Sequence, residues 1–158
     1  MMEHAVHAGE PPQDGELLLK LEAPSTPRGK DLLIDSVERC LCERDWISSE
    51  DASWLRMCLE EAVLNAVLHG NQGDPTLPVR VEMRVHAGRW MLLISDHGTG
   101  FAADEVPSME GMDALLREHG RGIFLMGEWL DELCYYRGGS TVLLARRCVV
   151  DDTDQTGV

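Results

Sequence analysis

The sequence predicts an α+β fold, namely a two-layer α/β sandwich whose mixed, mostly antiparallel sheet carries its helices on one face. Two pairs of apolar, strand-like segments are each joined by a short turn, as in antiparallel hairpins. Two long segments with helical spacing of apolar residues lie between the first strand and the first hairpin. The predicted order is therefore strand, helix, helix, strand, strand, long connection, helix, strand, strand.

One folded domain is predicted for residues 16–147, between two disordered tails. A chain of 158 residues suits a single domain with a sizeable core. Residues 1–15 are polar and lack periodicity, and residues 148–158 end in the acidic stretch DDTDQTGV, so we expect both to be unstructured. The first strand is predicted at residues 16–23, ELLLKLEA.

Both early helices carry N-terminal signals. The first, over residues 25–44, begins with Thr26 as the N-cap and Pro27 in the first turn. The second begins at Ser48, and Asp51 three residues later comes close to a capping box. Each helix then shows an apolar stripe that predicts one buried face. The stripes consist of Leu33, Val37 and Leu41 in the first helix and Leu55, Cys58, Leu59, Ala62, Val63, Ala66 and Val67 in the second.

The remaining chain predicts two hairpins, separated by a long connection and a helix. Residues 79–85 alternate strictly, as in a strand with one buried face, and residues 90–95 form its continuously apolar partner. Residues 97–119 carry only a short helical pattern, and a connection this long is usually functional or mobile. A helix is predicted at 122–133 and a closing hairpin at 134–147.

Composition excludes several classes of protein. The formal net charge is −14, so a direct nucleic-acid partner is not expected, because binding phosphates requires clustered Lys and Arg. No apolar run approaches the roughly 20 residues of a membrane span, and the first residues lack the layout of a signal peptide. We therefore expect a cytoplasmic protein that does not enter a membrane. The five cysteines show no CxxC spacing and are expected to be reduced and mostly buried.

A line of polar side chains runs beside the apolar stripe of the second helix. Glu61, Asn65 and His69 recur every four residues, which is about 400° of helical rotation. One interpretation is a solvated face with i,i+4 hydrogen bonding, and with His69 near the negative end of the helix dipole. The other is chemical. The amide oxygen of Asn65 can complete the shell of a phosphate-bound Mg²⁺, and Glu61 can accept a proton from a hydroxyl.

The stretch SDHGTGF (95–101) places a carboxylate and two glycines at the end of an apolar strand. Turns produce such glycine pairs routinely. A strand-end carboxylate such as Asp96 is, however, a fixed acceptor beside a pocket, and Gly98 and Gly100 would let a flat ligand approach the backbone closely. Both interpretations stay open on this motif alone.

The stretch HGRGIFLM (119–126) places Gly120, Arg121 and Gly122 at the start of a helix. Free amides and the positive end of the helix dipole favour an anion there, and the arginine adds a charge. The alternative is a flexible junction between loop and helix. The pattern is neither the Walker motif nor the dinucleotide-binding motif.

In this order, the three motifs resemble those of the ATP-binding domain shared by histidine kinases, type II topoisomerases, mismatch-repair ATPases and heat-shock chaperone ATPases. Within that superfamily the chain is most similar to the anti-sigma factor serine/threonine kinases of bacteria. EEAVLNAVLHGN (60–71) resembles their N box, DHGTGF (96–101) their first glycine box and GRGIFLMGEWLDEL (120–133) their second. The resemblance covers about residues 16–147 and implies the histidine kinase-like ATPase fold.

The resemblance implies a role for each matching residue. Glu61 would be the catalytic general base and Asn65 the Mg²⁺ ligand, while Asp96 would accept a hydrogen bond from the adenine amino group. Residues 102–119 would form a lid over ATP. The remaining nucleotide-binding residues would be Gly98 and Gly100 at the base, Gly120, Arg121 and Gly122 at the phosphates, Thr141 near Asp96 and adenine, and Ile123. His69 and Asn71 match the end of the N box without an assigned role.

The function implied is ATP- and Mg²⁺-dependent phosphorylation of an anti-sigma factor antagonist, with a sigma factor as the sequestered partner and a homodimer as the active form. An alternative is a non-catalytic, nucleotide-binding regulatory module that switches partners without phosphorylating them. A detached histidine kinase domain is a third hypothesis, against which the missing dimerisation helices and phospho-accepting histidine segment argue. The fourth is an α/β interaction domain whose pocket binds no nucleotide.

Overall fold

Six strands form one layer of the protein, and the helices pack against it, within residues 3–98 and 126–148, which the computed structural model describes. The strands are β1 Glu3–Val6, β2 Glu16–Pro24, β3 Pro78–His86, β4 Arg89–Ser95, β5 Glu132–Tyr136 and β6 Thr141–Arg147. The helices are α1 Pro27–Cys42 and α2 Ala52–Asn65, with a π-helical turn at Ala66–Gly70 and a 3-10 turn at Arg137–Gly139. None of the helices in these ranges is long and apolar enough to cross a bilayer.

The sheet is mixed, with the strand order β1-β5-β6-β4-β3-β2. Only the pairing of β1 with β5 is parallel, and the other four pairings are antiparallel. The two predicted hairpins, β3–β4 and β5–β6, lie as neighbours in the sheet. The predicted fold class, a mostly antiparallel mixed sheet with helices on one face, is therefore confirmed.

The main core fills the space between the sheet and the two helices. Alternate residues of the central strands turn to this side, and Val81, Met83 and Ile94 are at most 1% exposed. The apolar stripes of α1 and α2 pack against them through residues such as Leu33 and Leu59. The strict alternation in the sequence of β3 thus reflects a strand with one face in the core and one face outside it.

The first helix begins where the sequence predicts. Thr26 is the N-cap, and its hydroxyl accepts a hydrogen bond from the Gly29 N–H at 3.0 Å. Pro27 occupies the first helical position, where its missing N–H costs nothing. The cap satisfies one backbone donor that a helix start otherwise leaves without a partner.

The second helix begins at Ala52, later than the predicted start at Ser48. The Ser48 hydroxyl does accept from the Asp51 N–H at 3.2 Å, but Asp51 makes no reciprocal side-chain cap bond. Its carboxylate instead accepts from the Trp129 indole N–H at 3.1 Å and from Arg146 at 3.3 Å. The tertiary partners of Asp51 have replaced the local capping box that the sequence predicts.

The prediction of a disordered tail over residues 1–15 is wrong for residues 3–15. Residues 3–6 form β1, which extends the sheet alongside β5. The His7 N–H then donates to the Tyr135 carbonyl, and the Arg137 N–H donates to the Gly9 carbonyl, both at 2.8 Å. A polar segment without periodicity can be ordered in this way because the open edge of β5 supplies backbone partners that local sequence does not reveal.

Residues 7–15 cross the face of the sheet that the helices leave open. The strands β1 and β2 lie at opposite edges, so the segment between them must pass over the sheet. His7 stacks on Tyr136 with 5.0 Å between the ring centroids, and Pro11 is buried. This face holds a smaller apolar cluster, which consists of Leu93, Cys134 and Leu143 with Met91 and Tyr136.

The helix predicted at 122–133 is too long at its C-terminal end. Its described part is helical only at 126–129, and residues 122–125 lie outside the described ranges. The Asp131 N–H already donates to the Ala145 carbonyl of β6 at 3.0 Å, so the backbone has joined the sheet before β5 begins. The last apolar residues of this run have helical spacing but belong to the start of a strand. Periodicity cannot distinguish a helix from a strand over so short a run.

The folded region extends one residue into the predicted C-terminal tail of 148–158. Cys148 is 7% exposed, and its N–H donates to the Gly88 carbonyl at 2.8 Å. Like three of the other cysteines it is buried, as predicted. Residues 149–158 lie outside the described part of the chain, where the predicted disorder stays a prediction.

Candidate functional site

The polar line of α2 lies beside its buried stripe and faces the sheet near β5. Glu61 and Asn65 are both half-buried, one turn apart, while Leu59, Ala62 and Val63 of the same helix are in the core. Burial raises the pKa of Tyr135 on β5 to about 12, and the negative charge of Glu61 is the second cause of this increase. This electrostatic effect of Glu61 on a tyrosine of β5 could not be predicted from the sequence.

The end of α2 widens into a π-helical turn at Ala66–Gly70. The Asn71 N–H donates to the Ala66 carbonyl at 2.9 Å, a spacing of five residues instead of four. Short π-helical turns of this kind occur frequently at functional sites. Here the turn follows Asn65 directly, and it carries the exposed His69 and brings Gly70 against the end of β4.

Gly70 and Gly98 allow two backbone segments and a carboxylate to lie closer than side chains would permit. A Cβ atom on Gly70 would lie 2.1 Å from Oδ2 of Asp96, and one on Gly98 would lie 2.5 Å from the Gly70 carbonyl oxygen. Neither contact is possible without movement of the neighbour. Gly70 of the helix motif and Asp96 of the strand-end motif are therefore in direct contact.

Asp96 is held in place by backbone hydrogen bonds at the end of β4. Its N–H donates to the Ser140 carbonyl at 2.9 Å, and its Oδ1 accepts from the Gly98 N–H at 2.8 Å. Burial raises the pKa of Asp96 to about 6, although the Gly98 N–H and the nearby His97 act in the opposite direction. A half-buried carboxylate that is held in place in this way is a strong hydrogen-bond acceptor for a donor on a bound ligand.

Asn71, directly after the π-helical turn, connects three segments around the site. It is 1% exposed, and its Oδ1 accepts from the His97 N–H at 2.7 Å. Its Nδ2 lies within hydrogen-bond distance of the Ser25 hydroxyl and of the Leu77 and Pro78 carbonyls. The sequence analysis gave Asn71 no role. The sequence signal by which it could have been found is an amide just past a helix end, beside a glycine.

Thr141 lies next to the site in register but on the opposite face of the sheet. It pairs with Ser95, and the two hydroxyls share a hydrogen bond of 3.0 Å. Successive side chains of a strand point to opposite faces of the sheet. Val142 packs on the helix side, so the side chain of Thr141 lies on the opposite face, which carries Leu93. The residue of this segment that contacts Asp96 is Ser140, through its carbonyl oxygen.

The predicted phosphate-binding and lid residues lie outside the described ranges. The lid was predicted at 102–119 and the phosphate-binding residues at Gly120, Arg121 and Gly122. Gly100, predicted to line the base, and Ile123, predicted to bind nucleotide, also lie outside these ranges. The described half of the site therefore consists of the α2 motif, the π-helical turn and the end of β4.

The donor set fits a metal ion that takes most of its ligands from a nucleotide. Asn65 offers an amide oxygen, and Glu61 offers a carboxylate one turn away. Within residues 3–98 and 126–148, no three His, Cys, Asp or Glu side chains cluster into a complete metal site. Mg²⁺ suits this arrangement, because it commonly binds through one or two protein oxygens together with phosphates and water.

Comparison with known proteins agrees with this geometry. The profile of the histidine kinase-like ATPase domain matches residues 23–146, which is most of the chain. The chain belongs to the histidine kinase-like ATPase family. The predicted resemblance is thereby confirmed, and β1 with the segment up to residue 15 lies outside the part that this ATPase shares with the family profile.

The chain is also similar to curated bacterial kinases. It is 28% identical over 113 residues to the serine-protein kinase RsbW of Listeria innocua, a match that covers 67% of this chain and 72% of the relative. The serine-protein kinase RsbW of Listeria monocytogenes matches with the same identity and coverage. The similarity agrees with the predicted relationship to the anti-sigma factor serine kinases.

Proposed function

We propose that this histidine kinase-like ATPase is an ATP-dependent serine/threonine protein kinase of the anti-sigma factor type. Its substrate would be a serine or threonine hydroxyl on an anti-sigma factor antagonist, and its regulated partner a sigma factor. The active form would be a homodimer in the cytoplasm. Similarity to proteins named serine-protein kinases supports the reaction class.

One observation carries the proposal: Glu61 and Asn65 lie one turn apart on a helix whose π-helical end contacts Asp96. On this proposal Glu61 would supply the proton acceptor and Asn65 the metal-ligating amide on one side, and the half-buried Asp96 would supply a carboxylate on the other. Asp96 is well suited to accept a hydrogen bond from the amino group of adenine. Such a hydrogen bond would fix the base and leave the phosphates to extend toward Asn65.

The proposed mechanism assigns one task to each residue. Glu61 takes the proton of the attacking hydroxyl as the new bond to the γ-phosphorus forms and the bond to the β-phosphate oxygen breaks. Asn65 would hold Mg²⁺, and the ion would supply positive charge to offset the negative charge of the phosphates. The backbone amides and the arginine of Gly120, Arg121 and Gly122 would stabilise charge on the transferred group.

The decisive experiment measures binding and transfer separately. Purified protein is incubated with labelled ATP, Mg²⁺ and the cognate antagonist, and ADP affinity is measured by calorimetry. Glu61→Gln should bind ADP normally but transfer phosphate at least 100-fold more slowly, which is the scale of a lost general base. Asn65→Ala should lose Mg²⁺-dependent ATP binding.

Glu60→Gln is the matched control, because Glu60 is the preceding residue but its carboxylate pairs with Lys30 at 2.7 Å and Arg56 at 3.4 Å. We expect it to keep transfer within about threefold, since exposed ion pairs contribute little. Equal transfer by wild type and Glu61→Gln would refute the catalytic assignment. ADP binding by the wild type with no phosphoserine or phosphothreonine on the antagonist would instead support a non-catalytic regulatory module.

A further inference from the structure

Asn71 is the buried polar side chain around which the described half of the site is organised. Its amide is 1% exposed and has hydrogen-bonding partners at both ends. Fully buried amides are uncommon, and removing one leaves its former partners without hydrogen bonds. A residue of this kind fixes the relative positions of the segments it joins.

The partners of Asn71 come from three separate parts of the chain. Its Nδ2 lies 2.9 Å from the Ser25 hydroxyl, just before α1, and 3.1 Å from the Leu77 and Pro78 carbonyls at the start of β3. Its Oδ1 accepts from His97, just after β4, at 2.7 Å. Nδ2 therefore contacts the segments before α1 and at the start of β3, which we call the scaffold, and Oδ1 contacts the loop that follows β4.

The loop contact connects Asn71 with the site itself. His97 lies between Asp96 and Gly98, whose N–H holds the Asp96 carboxylate. The backbone N–H of Asn71 also closes the π-helical turn on Ala66, the residue after Asn65. One residue therefore holds both the helix that carries Asn65 and the loop that carries Asp96.

We infer that Asn71 is a positioning residue of the nucleotide site, whose side-chain amide sets the placement of Asp96 relative to the Glu61–Asn65 helix through the His97 N–H. The inference rests on the proposed nucleotide site but not on phosphate transfer. Since adenine and the metal-bound phosphates are covalently linked parts of one ligand, a shift between these two elements weakens its binding.

The test compares Asn71→Ala with Ser25→Ala. Ser25→Ala removes a partner of Nδ2 and leaves the His97 contact, so it controls for damage to the scaffold. Calorimetry with ADP and Mg²⁺, below the melting temperature of every variant, gives the Kd. We expect Asn71→Ala to raise the Kd about 10- to 100-fold, the effect of losing one hydrogen bond between the ligand and a charged group such as Asp96. Ser25→Ala should stay within about threefold.

The pH profile of ADP binding is the readout that a purely structural role would not change. In the wild type we expect affinity to fall as Asp96 gains a proton near pH 6. Once the His97 contact is lost, the Gly98 N–H that lowers the pKa of Asp96 is released, so the midpoint should move to higher pH in Asn71→Ala. It should not move in Ser25→Ala.

Asn71→Ser, a milder substitution that keeps a hydroxyl, takes the place of Asn71→Ala if the latter does not fold, and we expect it to weaken ADP binding at least tenfold. Normal ADP affinity with an unchanged pH midpoint in the Asn71 variants would overturn the inference. A wild type that binds ADP without phosphorylating the antagonist refutes the proposed kinase and leaves this test intact. A wild type that does not bind ADP overturns both.

Discussion

Gly70→Ala tests whether the contact between the helix end and Asp96 is required for nucleotide binding. The added Cβ would lie 2.1 Å from Oδ2 and 2.2 Å from Cγ of Asp96. Ordinary contacts between non-bonded heavy atoms begin at about 3.5 Å. The carboxylate or the helix end must therefore move by roughly 1 Å or more.

The expected result is a loss of ADP affinity of about 10- to 100-fold, because a displaced Asp96 would lose its hydrogen bond to adenine, and a hydrogen bond to a charged group contributes about 1.5–3 kcal/mol. Gly70 lies in a helical turn without a positive φ, so alanine should favour the local helix by up to about 1 kcal/mol. Weaker binding could not then be attributed to unwinding of the turn. The assay is calorimetric titration with ADP and Mg²⁺, accompanied by thermal denaturation.

Gly73→Ala is the matched control. A Cβ on Gly73 meets nothing within 4 Å, but its φ of +69° makes alanine unfavourable by about 1 kcal/mol. We expect this variant to lose some stability and to bind ADP normally. If Gly70→Ala binds ADP as tightly as Gly73→Ala, the contact with Asp96 does not set the geometry of the site.

Three further predictions follow from the described residues. Because burial raises the pKa of Asp96 to about 6, the folded protein binds this proton more tightly than the unfolded chain, so stability should decrease as pH rises from about 4 to 6. Asp96→Asn should therefore melt at a higher temperature than wild type at pH 8, but not at pH 4, and should lose ADP binding; an unchanged melting temperature at pH 8 would contradict this. Leu59→Ala, at a side chain 1% exposed, should lower the free energy of unfolding in urea by about 2–5 kcal/mol, and Leu64→Ala, at one 38% exposed, by less than about 1 kcal/mol. Deleting residues 3–10 removes β1 and uncovers part of the open sheet face, so the melting temperature should fall by at least about 4 °C, the shift for roughly 2 kcal/mol in a chain of this size; equal melting of the shortened chain would show that the segment contributes nothing.

The sequence was sufficient for elements whose signals are local. The start of α1 at Thr26 and Pro27, the alternation of β3 and the apolar stripe of α2 were all predicted, because capping and periodicity depend on neighbours a few residues away. The order of the motifs also identified the family. The later start of α2 at Ala52 was missed because the partners of Asp51 come from distant parts of the chain.

The sequence by itself thus predicted which residues would carry the chemistry: a carboxylate and an amide one turn apart at Glu61 and Asn65, and an aspartate at the end of an apolar strand. Only the tertiary structure decided how these groups meet. The approach of Gly70 to Asp96, the four-way contact of Asn71 and the ordering of residues 3–15 all depend on contacts between segments far apart in sequence. Backbone donors and acceptors are the same in every residue, so the sequence does not state which distant partner each will find.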